Sequence, residues 1–312
     1  MATPSDIIQE GDSVILFFTM TNLLVIPSIK ADGTTHNGSG FFYHSDIIGK
    51  PFGSKIQPHQ GSENPRPLYA LRVTPELFTL SIPHRTQIIY HADISAIMMG
   101  LNIVPGATVA EAGTGSASLS FSIAHRIAPT GRLFTFEIDP ARARHNRELL
   151  QQVISPDVVT LEERDVVEKG FPEDLCVDAV FLDLPSPWLA IGNAAKVLRQ
   201  NGRICTFSPS IEQVSKNVAQ MKEQGFHEIR TIEVMLKPWG LDLPRDAVVG
   251  EKRKRAGETP GSFQLPMRGH TSYLTFAIKQ LDDESSFPKP VLSLSDVTRK
   301  ADAIAAGRPE TV

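Results

Sequence analysis

Four acidic residues stand where an apolar run gives way to a glycine, a proline or a helix signal: Glu111, Glu137, Asp165 and Asp183. Glu111 opens EAGTGSAS (111–118), in which a strand pattern ends and a helical one begins. Gly113 and Gly115 permit backbone angles that other residues avoid and let the chain come close to a ligand. The N–H groups that start the next helix then face that ligand. Glu137 ends the apolar run LFTFEI (133–138), where a carboxylate can accept hydrogen bonds from both ribose hydroxyls of a nucleoside. Asp165, in EERDVV (162–167), falls where such folds hold an adenine amino group, and reads equally as a turn or capping residue. Asp183 lies in FLDLPSPW (181–188), at the end of a fourth apolar run. Its structural alternative is a cap for a helix expected over 187–200.

The ligand these residues suit is a nucleoside without a phosphate chain. The turn lacks the Lys and Ser/Thr of a phosphate-binding loop and the third glycine of the dinucleotide fingerprint. S-Adenosylmethionine has no pyrophosphate, and its sulfonium and amino-acid end suit an acidic neighbour such as Glu111. FLDLPSPW resembles, with residues interposed, the D/N-P-P-aromatic signature of amino- and base-methylating enzymes. Methyl transfer is an in-line displacement at an activated carbon, so the protein must align the nucleophile and compensate charge. If the nucleophile is adenine N1, a carboxylate accepting a hydrogen bond from N6 raises its nucleophilicity and stabilises the developing cation. Asp183 is the candidate for that role. Pro185 and Pro187 stiffen the loop, and Trp188 either lines the pocket or packs beneath it. Tyr90, in HRTQIIYHAD (84–93), could stack on a flipped base or be buried at a domain junction.

These residues need a parallel sheet to hold them at one edge. Strand patterns at 108–112, 133–138, 158–163, 178–184 and 203–208 alternate with helical patterns at 92–103, 117–128, 140–153, 187–200 and 210–224. A sixth strand at 229–236 and a late seventh at 271–279 follow without a long helix between them. This predicts an α/β, Rossmann-like seven-stranded methyltransferase sheet over 71–279, with a loop insertion at 237–270. Residues 1–70, with apolar runs at 13–18, 23–29 and 41–44, predict a small β-rich, barrel-like domain, with loops at 31–40 and 49–67. A flexible tail is expected over 280–312.

Composition constrains partners. The chain has 312 residues and a formal net charge of −4, whereas a protein that grips nucleic acid alone usually carries a basic excess. Either the substrate is small or another subunit supplies positive surface. KRKR (252–255) is a candidate localisation or RNA-contacting run, or a solvated loop. Cys176 and Cys205 sit in apolar stretches and lack metal-ligand spacing, so both are expected to be buried and reduced, with no metal bound. No apolar run reaches the ~18–20 residues of a membrane helix, and no membrane partner is expected.

GDSVILF, IIGKPFGSK (47–55), TPELFTLSIPHRTQIIY (74–90), EAGTGSAS, VFLDLPSPW (180–188), FSPSIEQV (207–214) and GHTSYLTFA (269–277) resemble, in that order, the catalytic subunit of eukaryotic tRNA (adenine-58-N1)-methyltransferases. The resemblance implies a nuclear heterotetramer, with two copies each of this chain and a related non-catalytic, tRNA-binding subunit. It places the catalytic aspartate on Asp183. Cofactor contacts fall on Gln87, Ile89, Gly113, Gly115, Ser116, Ala117, Ser118, Leu119, Glu137, Arg142, Asp165 and Val166. Family members usually read GTGSGS, and Ala117 replaces the last glycine here; as a residue suited to a helix start, it is expected to be tolerated. Two other classes share some features. An NAD-dependent oxidoreductase would share the glycine turn and Glu137. A non-catalytic RNA-binding subunit would be expected to have lost the turn or Asp183.

Overall fold

The computed structural model describes residues 6–19, 21–37, 40–59, 65–83, 87–236 and 271–280. The described residues up to Lys279 fall within one compact unit. The whole 237–270 insertion, KRKR included, and the tail beyond 280 lie outside the described residues.

The central sheet is built from β7 (Thr108–Ala112), β8 (Arg132–Glu137), β9 (Val159–Glu163), β10 (Val177–Leu182), β11 (Leu198–Ser208), β12 (Phe226–Glu233) and β13 (Tyr273–Lys279). Their spatial order is β12-β13-β11-β10-β7-β8-β9. The run β9-β8-β7-β10-β11 is parallel, and β13 enters antiparallel between β11 and β12. Alternation along the strands sends Val109, Phe181 and Cys205 into one apolar layer and Ala110, Val180 and Ile204 into the other. Both faces are covered, which is why these strands read as nearly unbroken apolar runs. The crossovers include α3 (Ser118–Ile127), α4 (Pro140–Val153), α5 (Ile191–Val197) and α6 (Ile211–Glu223). Chain order reverses between β7 and β10, and ligands of open α/β sheets bind outside the carboxyl ends of strands at such a point.

Ahead of the sheet come β1 (Val14–Thr19), β2 (Asn22–Ile26), β3 (Thr34–Asn37), β4 (Gly40–Tyr43), β5 (Ser54–Ile56) and β6 (Leu68–Arg72). They form an antiparallel four-stranded sheet, β2-β1-β6-β5, and a hairpin, β3-β4. Around Val14, Leu16, Phe42, Ile56 and Leu68 they enclose a barrel-like core. The other face of β1 and β2 carries Ile15 and Val25 into a cluster with Phe78, Phe121, Ala143 and Leu150. Phe78 belongs to α1 (Pro75–Ser81), and α2 (His91–Gly100) follows before β7.

Several expectations need correction. The segment 31–40 is not all loop: Thr34–Asn37 pairs with β4, and Thr35 Oγ1 meets the buried His44 ring at 2.8 Å. Its polar residues concealed a strand whose inward face is itself polar. Likewise β5 interrupts the expected loop at 49–67. The helix expected over 187–200 is a 3-10 turn (Pro187–Leu189) followed by the seven-residue α5. Lys279 closes α5 from β13, its Nζ donating to Ala195 O and Leu198 O at 2.7 Å each. Cys205 is buried as expected, but Cys176 is exposed because it sits in the loop just before β10. Among the described residues no helix is long and apolar enough to cross a membrane, and no group of metal-ligating side chains is found.

Phe78 is fully buried and stacks on Phe121 with ring centroids 4.1 Å apart. Replacing it by Ala leaves a cavity between the N-terminal strands and α3. Phe78→Ala should cost about 3–5 kcal/mol, read as a lowered urea midpoint.

Candidate active site

The carboxyl ends of β7, β8 and β10 surround a cleft of about 610 Å³. Its walls include Gln87, Gly113, Glu137, Arg142, Asp165, Val166, Asp183 and Pro185. A small recess beside it is lined by Ile89, Glu111, Ser116, Ser118 and Leu119 and shares Gln87, Gly113 and Asp183 with the cleft. Most residues expected at the site are therefore brought to one place.

Gly113 makes that possible. Its φ is +92°, and a Cβ added there would lie 2.0 Å from the Asp183 carbonyl oxygen. Its N–H donates to Phe136 O at 2.9 Å, while Asp183 N–H donates to Ala112 O at 2.9 Å. These bonds draw the ends of β8, β7 and β10 together where their side chains must converge.

Glu137 organises the second corner. Its carboxylate is buried and accepts from Gly115 N–H (3.1 Å), Asp139 N–H (3.0 Å) and Arg142 Nη2 (2.8 Å). Of the roughly four acceptor positions of a carboxylate, about one stays open on the oxygen that meets Gly115. Asn146 Nδ2 holds Gly115 O from α4 at 2.8 Å, so the turn is fixed from both sides. Asp165 plays the turn role that its sequence also allowed. Its Oδ1 accepts from Val167 N–H (2.8 Å) and Glu168 N–H (3.3 Å), and its side chain still lines the cleft.

Glu111 is buried at the floor. Ser120 Oγ and Thr135 Oγ1 donate to its Oε2 at 2.6 and 2.7 Å. Burial raises it to about 7 against the pull of those two bonds, with the charges of Asp183 and Glu137 adding to the rise. Asp183 is also raised to about 7, by burial first and by Glu137 second. It caps no helix: neither the 3-10 turn nor α5 has a side-chain cap. Glu111 and Asp183 thus lie in one small recess beside Glu137, the acid that Arg142 meets, and a cationic ligand would relieve them.

Three expected contacts are not at the cleft. Ala117 is fully buried in the cluster with Phe121 and Ala143. Its φ is +65°, so it precedes the helix in a left-handed conformation rather than starting it. That conformation costs an L-residue roughly 1–2 kcal/mol. The buried methyl, worth about 0.8 kcal/mol, and the stiffer unfolded chain, worth ~0.4–1 kcal/mol, nearly offset the strain, which explains how Ala stands there. Tyr90 packs at the margin of the same cluster. Trp188 lies beneath the wall, with Lys216 Nζ 4.4 Å from its ring centroid. Conversely, Leu184, Phe207, Pro209 and Gln213 line the cleft and had no role read from sequence. For Phe207, Pro209 and Gln213 the signal lies in FSPSIEQV, one of the stretches that carry the family resemblance.

Comparison with known proteins now bears on this geometry. Residues 67–261 match the family described as the tRNA methyltransferase complex GCD14 subunit. The chain belongs to this family. It is 35% identical over 310 residues to a tRNA (adenine(58)-N(1))-methyltransferase catalytic subunit of Dictyostelium discoideum, covering 89% of this chain and 98% of that one. A subunit of the same description from Cryptococcus neoformans is 42% identical over 241 residues, covering 76% of this chain. The match spans about half of that relative, 54% of its length. Among solved structures, a SAM-dependent O-methyltransferase from Thermotoga maritima superposes with a TM-score of 0.69 at 26% identity, covering 91% of this chain and 98% of that one. Membership of this family overturns the NAD-dependent oxidoreductase alternative.

Two outcomes follow. Gly113→Ala forces β7 from β10 and should cost ~3 kcal/mol or more in denaturant unfolding, together with cofactor affinity in a titration. Secondly, between the usual carboxylate value near 4 and about 7, the folded ligand-free protein holds protons on Asp183 and Glu111 that the unfolded chain has released. Stability must then fall as pH rises through that window. Asp183→Asn should flatten the slope and raise the melting temperature at pH values above about 7, measured by thermal melts across the window.

Proposed function

We propose that the chain is the catalytic subunit of a tRNA (adenine-58-N1)-methyltransferase, transferring a methyl group from S-adenosyl-L-methionine to N1 of adenine 58 in the T-loop. The observation that carries this reading is Asp183 at the switch point, on one cleft with Glu137 and Asp165, in a chain of this family. The residues fit the cofactor. Glu137 keeps an acceptor position for a ribose hydroxyl, and Asp165 Oδ2 is left for an adenine amino group. Glu111, Ser116 and Ser118 line a recess whose charge suits an ammonium. Gly113, Gly115, Gln87, Ile89, Leu119, Arg142 and Val166 complete the binding set in this reading. When bound, the cofactor supplies a methyl carbon made electrophilic by sulfonium.

The protein's own part is alignment and charge. Asp183, ionised, accepts a hydrogen bond from N6 of the target adenine. That interaction enriches N1 in the ground state and strengthens as N1 attacks and positive charge spreads onto N6. Pro185 and Leu184 wall the same side and exclude water around the reacting atoms. No nucleophile on the protein is required.

A non-catalytic, paralogous tRNA-binding partner belongs to the reading. The family is described as a subunit of a complex, and the net charge of −4 leaves phosphate binding to be shared. Assembly as a heterotetramer of two copies each and a nuclear location complete it, with KRKR as the candidate localisation run. That a related non-catalytic subunit would lose the turn or Asp183 supports assigning this chain the catalytic role.

The test is co-expression with the partner and methyl-transfer assay on tRNA. The wild-type complex should form N1-methyladenosine in the T-loop. Asp183→Ala should abolish nearly all transfer, ~10³-fold or more, with a far smaller loss of cofactor affinity by calorimetry. Normal turnover in that variant would remove Asp183 from the mechanism.

A further inference from the structure

FLDLPSPW and FSPSIEQV end consecutive strands and meet across the cleft. The first loop cannot hold itself. Pro185 and Pro187 bring no backbone N–H, so within 184–187 only Leu184 and Ser186 can donate. Its near end is tied to β7 through Asp183 N–H, and its far end closes through Leu189 N–H to Ser186 O and Ala190 N–H to Pro187 O. Between these ties the Pro185 carbonyl is taken by Gln213 Nε2, at 3.0 Å. A carbonyl only accepts, which decides the orientation of the amide. Gln213 Oε1 is then buried with no donor among the described residues.

The second motif is arranged to present this side chain. Phe207 and Pro209 wall the cleft at the end of β11. Ser210 then caps α6, its Oγ accepting from Gln213 N–H at 3.4 Å. That cap sets Gln213 in the first turn, beside the proline loop.

We propose that Gln213 is a positioning residue for methyl transfer: by holding the Pro185 carbonyl it fixes the loop that follows Asp183 and walls the base side of the cleft. The proposal rests on the reading that Asp183 acts on the target base. A carboxyl placed at 213 would share this surface with Asp183, Glu137, Asp165, Glu168, Arg142 and Arg164 across the cleft and with Glu212 and Lys216 on its own helix. As a carboxylate it repels the Pro185 carbonyl, whereas protonated it can donate to it.

The experiment compares Gln213→Ala and Gln213→Glu with wild type in the full complex with its partner. For Gln213→Ala, kcat should fall ~10- to 100-fold, while KM for tRNA and Kd for adenosylmethionine stay within about threefold. Gln213→Glu, ionised from about pH 7 to about 8.5 and so unable to donate to the Pro185 carbonyl, should lose at least as much kcat as Gln213→Ala. Amide exchange at Leu189 and Ala190 in the ligand-free protein should quicken in Gln213→Ala. Wild-type kcat in Gln213→Ala or in Gln213→Glu, a loss confined to cofactor affinity, or unchanged exchange would each overturn the proposal. A wild-type complex silent on tRNA would instead refute the proposed function, and the exchange rates would still decide whether Gln213 holds the loop.

Discussion

The contact on which the site depends is the approach of two backbones, Gly113 just past the end of β7 and Asp183 just past the end of β10. Side-chain atoms at position 113 would fill the space taken by the Asp183 carbonyl. Because that space is clear, neighbouring strands diverge only after their last hydrogen bonds, and the crevice opens directly over their carboxyl ends. Glu137 and Asp165 reach the crevice from the two strands on one side, and Asp183 and Gln213 from the other. Any residue with a Cβ at 113 would widen the crevice and separate acids that act on one ligand.

Electrostatics then follows from enclosure. Carboxylates drawn into a shared volume lose hydration and repel one another, so Glu111 and Asp183 hold protons up to about neutrality. Glu137 is treated differently, because Arg142 and two backbone N–H groups satisfy it. The same fold thus surrounds one acid with donors beside the place for a neutral sugar and leaves two others waiting for a positive ligand.

Much of this was legible in sequence, for a physical reason. In a parallel α/β fold, strand ends coincide with abrupt changes of residue type, so Glu111, Glu137, Asp165 and Asp183 could be placed by their neighbours alone. The late apolar run at 271–279 marked the seventh strand. What sequence did not disclose was direction and reach. Ala117 looked like part of a ligand turn, but its left-handed backbone turns it into the core. Trp188 follows Asp183 closely, yet a 3-10 turn carries it beneath the wall. Gln213 was invisible because its partner is a carbonyl 28 positions away, and a backbone atom leaves no mark in residue types. In β3, an inward Thr paired with His44 broke the apolar alternation by which strands are recognised.

The late strand has a consequence for the order in which this protein can be made. β13 lies between β11 and β12, and its Lys279 satisfies the last carbonyls of α5. While the ribosome is still translating the long stretch before residue 273, β11 ends the sheet as an open edge, and β12 has no neighbour. A nascent chain with every acid of the crevice already synthesised is therefore still unfinished on that side and exposes unpaired backbone to other strands. Completion waits for the arrival of the seven residues Tyr273–Lys279, which makes their release from the exit tunnel the step that commits the chain to its native sheet.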